Sequence, residues 1–196
     1  MQRIYLIQQN LVSRLKQRAR RIKRDKNVPH HEALELAAKA VGFDNWHQVV
    51  SAAEMCRPTE EAFRRGFLIA YDPSEVPDIE SEDFPLLWER DASYLLKEQL
   101  FECYGSQLDE EDAEERPIFE TLDLNELREY FEDDWQSMHY FRLKCPSQAS
   151  SIEQLLDLVH EHSFWLPRYV FAKGKLVDTS SLPALNTDGD IVGIRF

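Results

Sequence analysis

Histidines are the first residues of this sequence that could carry metal or proton-transfer chemistry. His160 and His162 form an HxH pair, and His139 precedes them along the chain. Zinc ligands that share one face of a helix recur at i and i+4, and an HxH pair has a different spacing. The pattern therefore favours helix-end or solvated histidines over a metal site. The pair His30-His31 precedes a helical pattern and fits a helix start better than a metal site.

Carboxylates are the second candidate set. Four acids could supply oxygen ligands to Mg²⁺ for phosphoryl chemistry, but no Lys or His at a recognisable spacing accompanies them. They are Asp123, Glu132, Asp133 and Asp134. The stretch Asn186–Asp190 matches part of a calcium loop and lacks the closing Glu of an EF-hand, so it predicts a turn. Because Gly-rich phosphate loops and Gly-x-Ser-x-Gly elements are also absent from the sequence, we predict no cofactor and no catalytic residue. An enzyme whose site is assembled from distant residues is an alternative.

Basic residues near the N-terminus are the third set of candidate functional residues, and they could form a binding site. Up to Arg57 the chain has eleven Lys/Arg against five Asp/Glu, whereas from Pro58 onward it has twelve against thirty-one. The first part carries a net charge of +6 and the second −19, so their electrostatic behaviour should differ. We predict a basic helical module at 1–57 and an acidic domain at 58–196. The candidate binding residues are Arg14, Lys16, Arg18, Arg20, Arg21, Lys23 and Arg24.

An amphipathic helix must position these cations. Apolar residues recur at spacings of three and four through Leu15 and Ala19, which predicts one helix running to about Lys26. A second helix is predicted to begin near His30 or His31, and a third, short one is predicted to end at Pro58. A connecting helix is then predicted from about Thr59 to Arg65. Three helices joined by tight turns make a small bundle, and the spacing of the second and third is close to that of a helix-turn-helix.

The basic face has three interpretations that the sequence leaves open. It could contact the phosphates of a nucleic acid, with an affinity that falls as salt rises. It could dock on an acidic surface, either of its own chain or of a second copy in a homo-oligomer. It could also be only a solvated face.

Three segments of the N-terminal module resemble a known family. They are Leu15–Lys23 (LKQRARRIK), His31–Ala38 (HEALELAA) and Gly42–His47 (GFDNWH). Over about residues 11–53 the chain resembles the short helical module of bacterial glyoxalase-related proteins, many of them encoded on plasmids or mobile elements. The resemblance implies a bacterial protein that is encoded on a plasmid or another mobile element. It implies no glyoxalase activity, because glyoxalases hold their metal through His and Glu on the strands of paired βαβββ units.

The acidic domain alternates between strand and helix patterns, which predicts an α+β fold with a mainly antiparallel sheet. Strands are predicted at 67–71, 138–144, 164–172, 175–178 and 191–196, and helices at 86–104, 124–131 and 152–162. Lys173-Gly174 is predicted to form a hairpin turn, and Asp123 is predicted to cap the helix that follows it. Asp109–Glu115 is predicted to be a solvated or mobile acidic segment. Its charge, like that of Asp72–Asp83, either serves solubility or mimics a phosphate backbone toward a basic protein.

Apolar runs and cysteines indicate the compartment. No run approaches the about 18 apolar residues that cross a bilayer, so no membrane span is predicted. The N-terminus turns polar after Ile7, which argues against a secretory signal, although its Arg-rich character leaves a mitochondrial presequence as an alternative. Cys56, Cys103 and Cys145 are far apart and lack CxxC spacing, which predicts free thiols and a cytoplasmic protein. The last two lie in apolar contexts and are predicted to be core thiols.

The division of charge favours a non-catalytic accessory or regulatory protein. Its basic module is expected to contact nucleic acid or an acidic partner, and its acidic domain is expected to engage a protein partner. The alternative is an acidic inhibitor or immunity-type protein that blocks a nucleic-acid-processing enzyme.

Overall fold

The structure is a computed structural model that describes residues 6–76, 83–89, 92–163 and 165–181. The chain divides into two units, 1–61 and 62–196. The predicted boundary after Arg57 lies inside the long helix that also contains this division.

Three helices make up the described part of the first unit. They are α1 (Gln9–Lys26), α2 (His30–Lys39) and α3 (Trp46–Arg65), the last of which runs into the second unit. α1 ends where Asn27 adopts a left-handed backbone conformation (φ 50°), a common way to close a helix. The predicted end of the first helix near Lys26 and the predicted start of the second near His30 are confirmed.

α1 and α2 approach each other closely because alanines line their contact. Ala19 of α1 lies with Ala33 and Ala37 of α2 in one cluster, and all three are fully buried. A second cluster joins all three helices and includes Leu15 and Val49. Small side chains bring the two backbones together, so α1 is held with its apolar face inward and its polar faces outward.

α3 joins the predicted third helix and the predicted connecting helix into one, since the helix continues through Pro58 to Arg65. A proline inside a helix removes one backbone hydrogen bond, and its ring clashes with the carbonyl four residues earlier, so other contacts must offset this cost. Thr59 and Glu60 are buried directly after it, and the Glu60 carboxylate accepts a hydrogen bond from the Gln9 backbone amide at 2.7 Å. Burial beyond the proline therefore favours one continuous helix, whereas the local pattern predicted a break at Pro58 between two helices.

A five-stranded sheet and four helices form the described part of the second unit. The strands are β1 (Phe67–Tyr71), β2 (Leu86–Trp88), β3 (His139–Leu143), β4 (Tyr169–Ala172) and β5 (Lys175–Asp178). The helices are α4 (Ser93–Gly105), α5 (Ile118–Thr121), α6 (Leu124–Gln136) and α7 (Ile152–His160). The strand order is β2-β3-β1-β4-β5, and every neighbouring pair is antiparallel. The predicted α+β class is confirmed.

Helices pack against both faces of this sheet. β1 is the central strand and is buried along its whole length, with alternate side chains pointing to opposite faces. Ile69 lies in one core with Leu155 of α7. Leu68 lies in the other core with Leu100 of α4 and Phe131 of α6. The second unit therefore has three layers, with α7 on one side of the sheet and α4 and α6 on the other.

The segment predicted to be a helix from Leu86 onward begins instead with a short edge strand. Leu86–Trp88 pairs with β3, with Leu86 opposite Leu143, and α4 starts only at Ser93. Apolar residues at helical spacing do not reveal that a neighbouring strand offers backbone groups for pairing, so the prediction was wrong here.

Two local predictions are confirmed by backbone geometry. The hairpin turn between β4 and β5 is Lys173-Gly174, with φ of 51° and 81°, as a two-residue turn of this type requires. Asp123 caps α6 in a reciprocal capping box with Glu126. The predicted strand at 191–196 lies outside the described residues.

Candidate nucleic-acid interface

The outward faces of α1 carry all seven candidate binding residues. Each of them is exposed. At about 100° per residue they form three rows along the helix. The rows are Arg14, Arg18 and Arg21, then Arg20 and Arg24, then Lys16 and Lys23. From the first to the last of these residues the rows extend over about 15 Å, and a nucleic-acid strand carries one phosphate per about 3.4 Å of its axis. The helix is therefore long enough to face several successive phosphates.

The charge on α1 is not neutralised by ion pairs within the described part of the chain. None of the seven cations forms an ion pair with another described residue. Asp25 is the one acid in the helix. Lys23, Arg24 and Lys26 occupy the last turn, where they offset the negative end of the helix dipole. The other five candidates lie before that turn, where the dipole provides no such stabilisation.

The distribution of charge does not follow a helix-turn-helix. In that motif the second helix of the pair lies in the major groove and reads base edges. Residues 40–45 connect α2 to α3, and the exposed side chains of α3 include His47, Glu54 and Arg57, a mixture of charges. Because the cations lie on α1, the arrangement favours phosphate contacts over base recognition by α3.

Two of the three histidines in the second unit lie in aromatic contacts. The ring of His139 stacks on Trp88, with centroids 5.5 Å apart, and that of His162 meets Phe84 edge-on at 5.9 Å. The Nδ1 atom of His160 is buried and has no hydrogen-bond partner among the described residues. Over the same residues, no group of three His, Cys, Asp or Glu side chains is arranged to hold a metal ion.

The described candidate acids have structural partners. Backbone amides of Glu126 and Asn125 lower the pKa of the capping Asp123. The Lys97 ammonium lies 2.8 Å from the Glu132 carboxylate and lowers its pKa. The side chains of Asp133 and Asp134, like all of Asn186–Asp190, fall outside the described part of the structure. The magnesium-site and calcium-loop hypotheses gain no geometric support from the acids that are described.

A depression of about 420 Å³ lies between α4 and the β4–β5 hairpin. Its lining includes Glu102, Cys103 and Lys175. Burial raises the pKa of the Cys103 thiol, and the Asp178 carboxylate raises it further. A thiol with a raised pKa stays protonated near neutral pH and is a poor nucleophile. The depression could therefore hold a small molecule, but Cys103 in its lining is not activated as a nucleophile.

Cys145 was predicted to be a core thiol, and the structure shows it exposed just after β3. Hydrogen bonds from the side chain and backbone of Ser147 lower its pKa. We expect iodoacetamide near neutral pH to alkylate Cys145 at least about tenfold faster than Cys103, because thiolate content and access set the rate. Peptide-resolved mass spectrometry over time measures both rates, and a Cys145→Ser variant should lose the fast phase. Faster alkylation at Cys103 would contradict the expectation.

Comparison with protein families, curated proteins and solved structures finds no match for this chain. The resemblance of residues 11–53 to the bacterial glyoxalase-related module stays a prediction that rests on its motifs. No helix in the described ranges is long and apolar enough to cross a membrane.

Proposed function

We propose that this protein is a non-catalytic accessory or regulatory protein that binds nucleic-acid phosphates through α1 and a protein partner through its acidic unit. The observation that carries the proposal is the set of seven exposed Lys/Arg on α1, none of which pairs with a described acid. A bacterial or mobile-element setting follows only from the resemblance of the N-terminal module.

The division of charge supports contact with nucleic acid through α1 rather than through the whole chain. Residues 58–196 carry a net charge of −19 and repel phosphates, whereas residues 1–57 carry +6. Cations that neutralise phosphates release condensed counterions, and the logarithm of the binding constant falls by about 0.9 per contact for each logarithmic unit of salt. Four or five contacts through α1 therefore predict binding that is measurable at low salt and much weaker at physiological salt.

The test compares two full-length variants with the same change in net charge. The first replaces Arg18, Arg20, Arg21 and Arg24 by Gln. The control replaces four exposed cations of the second unit by Gln, namely Arg128, Lys144, Lys173 and Lys175. Fluorescence anisotropy of a labelled DNA duplex and of a labelled single-stranded RNA, titrated across salt concentrations, gives affinities and salt slopes.

We expect the α1 variant to lose at least about tenfold in affinity at low salt, with a salt slope shallower by about three to four. The control should bind within about threefold of the unaltered chain, because its cations lie on the unit that repels phosphates. Equal loss in both variants, or absence of binding by the unaltered chain at low salt, would remove the nucleic-acid part of the proposal.

An acidic inhibitor of a nucleic-acid-processing enzyme is the second candidate function. It is favoured by the acidic segment after α4, which forms a closed and hydrogen-bonded loop rather than a mobile tail. A fixed array of carboxylates can occupy a basic cleft at a smaller entropic cost than a disordered one. Tight binding to a basic nuclease that survives loss of the α1 cations would favour this candidate over the first.

A further inference from the structure

Residues 106–117 form a hydrogen-bonded loop between α4 and α5. Leu108 pairs with Pro117 across the base of the loop as an antiparallel bridge, and the Asp109 amide donates to the Arg116 carbonyl at 2.9 Å. The segment was predicted to be solvated or mobile: most of its side chains are exposed, and its backbone is closed by hydrogen bonds that the prediction did not include. The loop presents its acidic side chains from a fixed backbone.

One ion pair stabilises the inside of the loop. The Arg116 guanidinium binds both oxygens of Asp112, at 2.9 and 3.0 Å, and lowers the pKa of that carboxyl to about 2. The same arginine lies 3.4 Å from a Glu114 oxygen. Glu110, Glu111 and Glu115 are exposed around it. Asp112 therefore acts in folding the loop, and its neighbours carry the outward charge.

Apolar side chains are exposed beside this charge. Six large apolar side chains are exposed in the described part of the second unit, and four of them lie between residues 108 and 130. They are Leu108 (57 % exposed), Phe119 (42 %), Leu124 (63 %) and Tyr130 (56 %). Monomeric proteins expose single apolar side chains everywhere, but a concentration in one segment is typical of an interaction site.

Phe119 is held in place rather than free. Its ring packs edge-on against Phe101 at 5.8 Å and covers Gly105, where even a Cβ atom would lie 2.3 Å from the ring. α5, which carries Phe119, packs against α4 and α6, and Leu124 is the first residue of α6. An aromatic ring with a fixed orientation and a half-exposed edge fits the role of an interface anchor, because little side-chain entropy is lost on binding.

We propose that the acidic loop, α5 and the start of α6, residues 107–124, form a docking surface for a protein segment that carries Lys/Arg around apolar side chains. The inference rests on the proposed binding of a protein by the acidic unit and is independent of nucleic-acid contact by α1. We call residues 107–124 the loop–α5 surface.

The chemistry of the loop–α5 surface selects this occupant over the alternatives. Residues 107–124 contain eight Asp/Glu and one Lys/Arg, which repels nucleic acid and attracts cations. A partner that carried only charge would leave the exposed Leu and Phe side chains without an apolar contact, so the partner is expected to carry apolar side chains as well. The basic faces of α1 in a second copy would match the carboxylates, but the exposed residues of α1 are polar. A separate partner with both features therefore fits best.

The test uses two labelled peptides of equal charge and the full-length chain. One is an amphipathic helix with lysines on one face and leucines on the other, and the second is an oligo-lysine. Fluorescence anisotropy should show the amphipathic peptide binding at least about tenfold more tightly than oligo-lysine. The double variant Leu108→Ser and Leu124→Ser should reduce this preference to about twofold or less, because both side chains are exposed and their loss should leave the fold intact.

A matched control replaces Met55 and Leu87, two other exposed apolar residues, by Ser and should keep the preference. Equal affinity for the two peptides, or equal loss in the two double variants, would overturn the proposal. Self-association of the unaltered chain that Leu108→Ser and Leu124→Ser abolish, measured by sedimentation, would identify a second copy as the occupant and would also overturn it. Replacing the four α1 arginines by Gln should leave the preference unchanged, so failure of nucleic-acid binding and failure of this surface give different results.

Discussion

Replacing Ala37 by leucine is expected to destabilise the first unit by about 2 kcal/mol or more. Ala37 is fully buried and lies in one cluster with Ala19 of α1 and Ala33 of α2. Three additional carbon atoms at a contact between two alanine-lined helices have no space unless the backbones separate. Separation would also expose Ile22 and Leu34, which pack on the same cluster. The largest effect is therefore expected on the position of α1.

The same substitution at Ala40 is the control, since this residue is exposed just after α2. Denaturation followed by circular dichroism should give a change below about 0.5 kcal/mol for Ala40→Leu. Hydrogen exchange resolved by peptide should show loss of protection in α1 and α2 for Ala37→Leu, with β1 unchanged if the second unit folds independently. Equal stability of the two variants would mean that the helices do not meet at the alanine-lined contact.

Local sequence patterns were sufficient to predict those elements whose geometry depends only on the residues within them. The stripe through Leu15 and Ala19 predicted α1, because apolar spacing of three and four is a property of the segment alone. Lys173-Gly174 predicted the β4–β5 turn, because the backbone conformation of such a turn depends on the residues within it. These elements needed no knowledge of the rest of the chain.

Tertiary contacts decided the elements that were missed. Pro58 ordinarily ends a helix, and α3 continues through it while Thr59 and Glu60 become buried. Leu86–Trp88 has apolar residues compatible with a helix, but pairing with β3 makes it a strand. In both cases the deciding partner is distant in the sequence, so no local pattern could indicate it.

The candidate sites were predictable to different degrees. The cations of α1 were evident from composition, since clusters of Lys/Arg on the polar side of an amphipathic helix are visible in the sequence. The closed acidic loop was missed, although the spacing of Asp112 and Arg116 at i and i+4 is a signal for an ion pair. The exposed position of Phe119 could not be predicted, because it depends on how α5 packs over Gly105.

Glu60 is the second residue for which we expect a large effect. Its side chain is 3 % exposed, and its carboxylate accepts a hydrogen bond at 2.7 Å from the backbone amide of Gln9, the first residue of α1. The first amides of a helix have no partner within the helix, and a negative charge there also meets the positive end of the helix dipole. The Gln9 side chain donates to the Ala53 carbonyl as well, so both groups of Gln9 attach α1 to α3.

Replacing Glu60 by alanine is therefore expected to cost about 2 kcal/mol, because the partly buried Gln9 amide loses a charged acceptor. Glu61 is the matched control: it is exposed and pairs with Arg57 one turn away, so Glu61→Ala should cost less than about 0.5 kcal/mol. Glu60→Gln keeps an acceptor and loses the charge, which should give an intermediate cost. Denaturation midpoints of the three variants, with hydrogen exchange at the start of α1, test the order. If Glu60→Ala and Glu61→Ala are equally stable, the buried carboxylate does not hold α1 against α3. The cations of α1 would then need another element to position them.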